Sequence, residues 1–216
     1  MSKVRVVETF ASLQGESTHA GRKCFFIRLS GCNLDCSYCD TLYGKAFDGG
    51  VERSVDSLVR EVLGSAFSLV EITGGEPLCS PETPQLCQAL LDAGLEVLLE
   101  TNGSRSIADV PAAVRKILDC KLPGSGMEKH NLYSNYALLQ KHDEVKFVIS
   151  DRSDFDFACD VIEKYDLPRY TPHLIASPVW GRVKFDELSS WVIDSSVPLR
   201  MQLQMHKIIW GDRRGV

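Results

Sequence analysis

The sequence has no run of about 18 or more apolar residues, the length a helix needs to cross a bilayer. Its opening segment, MSKVRVVETF, lacks the long apolar core of a secretion signal. A cytoplasmic protein with no membrane partner is therefore expected. Excess positive charge is missing too. With a net charge of −5 there is no electrostatic footprint for a phosphate backbone, so no nucleic-acid partner is expected. Low-complexity tracts, linker-like stretches and internal repeats are absent, and 216 residues suffice for one sizeable core, so a single domain over residues 1–216 is expected. Disulfides are not expected either, because the eight cysteines of a cytoplasmic chain are thiols. Five of them, Cys24, Cys79, Cys87, Cys120 and Cys159, lie in apolar runs or at element ends and read as small buried hydrophobes.

What the sequence does have is alternation of element type. Strand-like runs occur at Cys24–Leu29, Leu69–Ile72, Leu95–Glu100, Ile117–Cys120, Glu144–Ile149, Pro172–Ala176 and Arg200–Met205. Between them lie helical patterns. Val55, Leu58, Val59, Val62 and Leu63 form an amphipathic stripe behind Ser54 as N-cap. A second helix is predicted from Ser80 as cap and Pro81 at its first position to Gly94. A third runs from about Ser153 to Tyr165 and a fourth from about Phe185 to Ile193. This order predicts an α/β fold, a mostly parallel sheet with outer helices. Irregular connections such as Pro123–Lys129 favour an incomplete, distorted β/α barrel, a partial TIM-like one, over a full eightfold barrel.

In such barrels chemistry collects at the C-terminal ends of the strands. The motifs fall there: CNLDCSYCDT after Cys24–Leu29, TGGEP after Leu69–Ile72, TNG after Leu95–Glu100, Asp119–Lys121 at the next strand end and SPVWG after Pro172–Ala176. The first holds Cys32, Cys36 and Cys39 in the spacing C-x3-C-x2-C, so a tight loop can turn three thiolates onto one iron–sulfur cluster. Three local thiolates leave one iron open for a substrate to chelate. The alternative is a structural zinc site, which wants four closed ligands and would have to recruit Cys24 from the far end of its strand.

Thr73-Gly74-Gly75-Glu76-Pro77 lets backbone approach a ligand closely, and its carbonyls or Glu76 can accept from an ammonium group. On the preceding strand Phe25, Ile27 and Leu29 share one face and Cys24, Phe26 and Arg28 the other. If the first face packs on helices, Arg28 points into the barrel, where it forms either a structural ion pair or a bidentate clamp on a substrate carboxylate. Phe10–Ser17 reads as a polar loop after a short first strand.

The cysteine triplet, with Tyr38 just before its last member, resembles the signature of the radical S-adenosylmethionine superfamily. That resemblance implies a [4Fe–4S] cluster on Cys32, Cys36 and Cys39, whose open iron holds the amino and carboxylate groups of S-adenosylmethionine and whose electron releases a 5′-deoxyadenosyl radical. The order ETFASLQGE, FFIRLSGCNLDCSYCDT, TGGEP and the ending RMQLQMHKIIWGDRRGV resembles, more narrowly, the 7-carboxy-7-deazaguanine synthases. It departs from them at Ser17, where Gly is expected, and across Lys121–His142.

The family resemblance implies a lyase that converts 6-carboxy-5,6,7,8-tetrahydropterin to 7-carboxy-7-deazaguanine and ammonia, toward queuosine. It implies that Leu13, Gln14, Gly15, Arg28, Thr73 and the chain end Val216 contact the pterin. Tyr38, Cys39, Asp40 and Gly75 would line S-adenosylmethionine, with Asp119, Cys120 and Lys121 and then Ser177, Pro178, Val179 and Trp180 at later strand ends. Thr41 would place its hydroxyl on a catalytic Mg²⁺, an ion that prefers hard oxygen ligands. A homodimer and a reductant protein such as flavodoxin or ferredoxin are implied as well. Glu16 and His206 are candidates to protonate the leaving nitrogen. Two other readings, a glycyl-radical-enzyme activase and a non-catalytic iron–sulfur or zinc module, give Arg28, Thr41 and the Gln14 loop no task.

Overall fold

Strands buried on both faces need apolar residues on one side and compensated residues on the other, and this sequence supplies both along one sheet. The structure is a computed structural model that describes residues 2–216. Its strands are β1 (Lys3–Leu13), β2 (Lys23–Leu29), β3 (Val51–Ser54), β4 (Leu69–Gly74), β5 (Glu96–Thr101), β6 (Arg115–Cys120), β7 (Glu144–Ile149), β8 (His173–Pro178) and β9 (Arg200–Met201). They form a nine-stranded sheet in the order β3-β1-β2-β4-β5-β6-β7-β8-β9. Every pairing from β2 to β9 is parallel, whereas β1 is antiparallel to both β2 and β3. The sheet ends on β3 and β9, so the barrel is incomplete, as expected.

Side-chain alternation sorts each strand into two environments. Ile27, Ile72, Leu99, Leu118, Phe147 and Ala176 point outward into the large core beneath the helices. The opposite residues point inward in layers. Cys24, Phe26, Leu69, Leu98 and Ile117 make a small apolar floor with Phe10. Above it, toward the C-terminal strand ends, stand Arg28, Thr73, Glu100, Asp119 and Lys146, all on one cavity. Cys24, Cys87 and Cys120 are buried as expected, but Cys79, at the end of its 3-10 turn, and Cys159, in the middle of a helix over Arg152–Lys164, are only half-buried.

The helices are α1 (Val55–Gly64), α2 (Thr83–Asp92), α3 (Arg152–Lys164), α4 (Phe185–Asp194) and α5 (Met205–Trp210). Ser54 caps α1 as predicted, accepting from Ser57 N at 3.2 Å. The second helix starts two residues later than predicted. Pro77–Cys79 winds into a 3-10 turn, and Thr83 Oγ1 donates to Pro77 O at 2.6 Å, which postpones helical geometry until Thr83. Its end is as read. Gly94, at φ +80°, donates to Leu91 O while Leu95 N donates to Leu90 O, the Schellman pattern.

Two strand expectations change. β1 runs on to Leu13, because Phe10–Leu13 pair with Lys23–Phe26 instead of forming a loop. The last strand stops at Met201, since Gln202 N still reaches Ala176 O but Met205 N turns to Gly15 O at 2.9 Å and opens α5. Ser17 has φ +64°, a left-handed conformation natural to glycine, which accounts for its standing where Gly was expected. Ser tolerates it with local help: its Oγ accepts from His19 N at 3.0 Å and its carbonyl from Gln202 Nε2 at 2.7 Å.

The connection from Gln14 to Arg22 folds beneath the N-terminal strand ends. Thr18 Oγ1 donates to Glu144 Oε1 at 2.6 Å, and Glu96 receives His19 Nε2 at 2.7 Å and the two Arg22 Nη atoms at 2.9 and 2.6 Å. The Arg22 guanidinium, with His19 beside it, holds the Glu96 carboxyl at about 2 instead of 4.5. A carboxyl depressed by folding stabilises above its ordinary value, and the stabilisation is lost as pH falls through the depressed one. Glu96→Gln should therefore lower the melting temperature at neutral pH and converge with wild type as pH drops from 4.5 toward 2. A gap that stayed constant over that window would mean that Glu96 acts by packing alone.

Candidate active site

The cysteine loop leaves β2 at Leu29 and is docked by its backbone. Gly31 N donates to Gly44 O at 2.8 Å and Cys32 N to Lys45 O at 3.0 Å, so the loop closes on itself. Glu76 N then donates to Gly31 O at 2.7 Å and Gly75 N to Leu29 O at 3.2 Å, which fastens the loop to the turn after β4. The approach is too close for side chains. A Cβ on Gly75 would stand 2.4 Å from Gly31 O, and one on Gly74 would stand 2.2 Å from Leu29 O. On its other side Ser37 ties the loop to Gly124 O and Ser125 O at 2.7 and 3.1 Å. The Pro123–Lys129 stretch, folded as 3-10 turns, is thus a buttress.

Cys32, Cys36 and Cys39 are free thiols on the wall of one cavity of about 570 Å³. Burial raises the Cys32 and Cys36 thiols, with Lys121 opposing that rise at Cys36. Among the described residues no three His, Cys, Asp or Glu side chains converge on a single ion. A structural zinc would need that convergence, whereas a cluster takes each thiolate on a different iron and suits a wider triangle. Cys24 is buried in the apolar floor and does not line the cavity, so three thiols are what the loop offers.

Most of the predicted site residues meet on this cavity. Leu13, Gln14 and Gly15 reach it from the end of β1, Arg28 from β2, and Tyr38, Asp40 and Thr41 from the cysteine loop. Thr73 and Gly75 line it beside Asp119 and Lys121, and Val179, Trp180 and Val216 complete the wall. Cys120, Ser177 and Pro178 are not brought there. Cys120 points outward into the helix-side core between its two inward neighbours, as strand alternation requires. Ser177 is fully buried.

Electrostatics divide the wall. Arg28 donates through Nε to Glu8 Oε1 at 2.8 Å, where Tyr43 also donates at 3.0 Å. Its guanidinium lies 5.8 Å from the ring centres of Phe10 and Tyr43. Glu8 therefore occupies one edge of the fork, and the two Nη atoms make no hydrogen bond among the described residues. Lys121 Nζ pairs with Asp119 Oδ2 at 2.7 Å, while Asp119 Oδ1 is buried with no partner among the described residues. Thr41 Oγ1 donates to Asp40 Oδ1 at 2.9 Å, so a hydroxyl and a carboxylate lie side by side at the rim.

Glu76, offered from the sequence as an acceptor for a ligand, is 1% exposed and already accepts from Thr101 Oγ1, Asn102 N and Leu78 N at 2.8, 2.6 and 2.9 Å. It locks two strand-end loops together, which leaves the Gly74–Gly75 backbone as the ligand-facing part of the motif.

Sequence reasoning missed Glu71, Glu100 and Lys146. Lys146 Nζ bonds Glu16 Oε2 at 2.8 Å and also Glu100, whose other oxygen accepts from Thr73 Oγ1 at 3.2 Å. Burial would raise Glu100, but Lys146 overrides it and holds the carboxyl below the usual carboxylate range. The missed signal was the one that singled out Arg28: a charged residue on the inward face of an otherwise apolar strand, as in LVEI, LEVLLE and EVKFVI.

A family model described as the radical SAM superfamily matches residues 26–127. The 7-carboxy-7-deazaguanine synthase of Koribacter versatilis is 39% identical, over 96% of this chain and 97% of that one. The synthase of Chlorobaculum tepidum is 38% identical over 99% and 97%. Among solved structures, QueE from Escherichia coli superposes with a TM-score of 0.76 at 21% identity, covering 94% of this chain and 95% of that one.

Gly75→Ala tests the docking of the cysteine loop. Its Cβ has no room 2.4 Å from a backbone oxygen, so the loop must shift, at a cost of about 1–3 kcal/mol. Iron bound after anaerobic reconstitution should fall well below wild type. Undiminished iron would show that the two loops are not coupled.

Proposed function

The chain belongs to the 7-carboxy-7-deazaguanine synthases, which are radical S-adenosylmethionine lyases, and we propose how its own residues divide that work. The reaction turns 6-carboxy-5,6,7,8-tetrahydropterin into 7-carboxy-7-deazaguanine and ammonia, a step toward queuosine. Cys32, Cys36 and Cys39 hold the [4Fe–4S] cluster. Bound together, the cluster and S-adenosylmethionine supply the radical that abstracts hydrogen from the substrate. The protein orients the reactants and keeps water away.

On the cofactor side, the open Gly74–Gly75 backbone accepts from an amino group. The unpartnered Asp119 Oδ1 is the natural acceptor for a further polar group, with Lys121 fixing its other oxygen. Tyr38 and Asp40 flank the cluster loop, and Val179 and Trp180 give an apolar wall. Ser177, Pro178 and Cys120 support these residues from behind.

On the substrate side, the free Nη edge of Arg28 takes the 6-carboxylate, while Glu8 and two aromatic rings hold the guanidinium in place. Leu13, Gln14, Gly15, Thr73 and Val216 surround the ring. Thr41, with Asp40 beside it, presents hard oxygens to Mg²⁺ next to that carboxylate. Among the described residues no helix is long and apolar enough to cross a membrane. We take the chain to work as a single-domain subunit of a cytoplasmic homodimer, reduced by a flavodoxin or ferredoxin.

The observation that carries this reading is a single cavity with three free thiols on one wall and Arg28, Gln14 and Thr73 on another. The direct test supplies anaerobic, reduced protein with S-adenosylmethionine and the carboxylated pterin and looks for 7-carboxy-7-deazaguanine by mass spectrometry. Cofactor cleavage with no such product would sink the substrate assignment.

Two variants probe the anion site. A charge-assisted pair contributes about 1.5–3 kcal/mol, so Arg28→Ala should weaken substrate binding by roughly ten- to a hundredfold. Arg28→Lys, which loses the planar fork, should lie between. A pterin lacking the 6-carboxylate should lose less; equal losses for both ligands would make Arg28 a structural partner of Glu8. Thr41→Ala and Thr41→Val should both blunt stimulation by Mg²⁺ with iron content unchanged, and a wild-type metal response in both would remove Thr41 from the metal site.

A further inference from the structure

Glu71 has no role above, although it stands on the cavity wall. It precedes Thr73 by two residues on β4 and shares its inward face. The residue is 3% exposed, with Gln14 Nε2 donating to its Oε2, and Gln14 Oε1 accepts in turn from Glu16 N at 3.0 Å. The other oxygen, Oε1, makes no hydrogen bond among the described residues, and Glu71 belongs to the cavity lining.

Charge around it is unevenly shared. Gln14 and Glu16 face it from the connection after β1, the Cys24 thiol from β2, Glu100 from β5 and Lys146 from β7. The one ammonium is spent elsewhere, on Glu16 at 2.8 Å and on Glu100. No cation hydrogen-bonds Glu71. Burial, and after it the Glu100 charge, pushes its carboxyl well above the usual carboxylate range. Three carboxyl groups around one ammonium in a closed space are best reconciled by a proton on the one that lacks a cation.

We propose that Glu71 is an un-ionised carboxylic acid whose Oε1–H donates a hydrogen bond to an acceptor atom of the pterin ring. This rests on the pterin reading of the cavity and adds a substrate-binding residue to it. A neutral carboxyl has one donor besides its acceptors. Gln14 occupies the carbonyl side, so the donor is what faces the ligand. A ring carbonyl or unprotonated ring nitrogen satisfies it, and an amino group does not. Ionised Glu71 would have no donor, and it would add a negative charge to a cavity that must admit a carboxylate.

The test measures equilibrium binding of 6-carboxy-tetrahydropterin to the anaerobically reconstituted protein from neutral to alkaline pH, in wild type, Glu71→Gln and Glu71→Leu. Gln keeps a donor and an acceptor but does not titrate. It should bind within about twofold of wild type at neutral pH and hold its affinity at alkaline pH, where wild type weakens as Glu71 ionises. Leu should bind about tenfold more weakly than Gln at every pH. Iron content should match in all three. Superimposable alkaline profiles for wild type and Gln, or a Gln variant as weak at neutral pH as Leu, would overturn the inference while leaving the substrate intact. Should Leu fail to fold, the wild-type and Gln profiles decide alone. A wild type that does not bind the pterin overturns the substrate reading and this inference together.

Discussion

Lys146 stands on the inner face of β7, 4% exposed, with Glu16 on one side of its ammonium and Glu100 on the other. An isolated charge at such a depth would be costly, so the position is tolerable only because both partners are held in place. Those partners come from distant parts of the chain, Glu100 from β5 and Glu16 from the connection between β1 and β2. The ammonium therefore ties the substrate-side connection to the parallel strands, and it sets the charge state of everything around it. Thr73 is oriented by Glu100 at 3.2 Å, Gln14 stands against Glu71, and Glu71 is left without a cation. The polar layer of the cavity is one coupled arrangement, not a set of separate contacts.

The cysteine loop is governed by a different constraint, the close approach of backbones. Gly31, Gly44, Gly74 and Gly75 let three segments come together where a Cβ on Gly75 would meet oxygens at 2.4 and 2.8 Å. The buried Glu76 then draws in the end of β5 through Thr101 and Asn102. Rigid placement of the thiols thus comes from the close approach of glycines and from one saturated carboxylate, Glu76, that does not face the ligand. The result keeps the thiol loop and the ligand-facing backbone in fixed register, which a reactive radical intermediate requires of its container.

The connection Gln14–Arg22 links the two ends of the barrel. Its start lines the cavity, and its middle is pinned to the first residues of β5 and β7 through Glu96 and Glu144. The segment after β9 closes over it, with Met205 N on Gly15 O and the His206 ring where a Gly15 Cβ would be, 2.2 Å from Nδ1. Gly15 is small because a histidine lies on it. This contact lets chain positions nearly 200 residues apart share a wall of the site.

Much of this was legible in the residues. Continuous apolar runs such as EVKFVI marked β7 to the residue, the stripe from Val55 to Leu63 marked α1, and motif spacing put the thiols, the Gly pair and Asp119–Lys121 at strand ends. Local chemistry decides those features, because alternation, capping and loop length act over a few residues. The start of α2, the length of β1 and the end of β9 were misread, since each depends on a contact outside its own element: Pro77 O for Thr83, β2 for Phe10–Leu13, Gly15 for Met205. The sequence by itself determined which residues face inward and which thiols share a loop. Only the tertiary structure decided that Arg28 shares its fork with Glu8, that Glu76 is consumed by the scaffold, and that one lysine serves two of the three carboxyls around it. Pairing of inward charges is settled by distances between strands, and no periodicity along a single strand carries them.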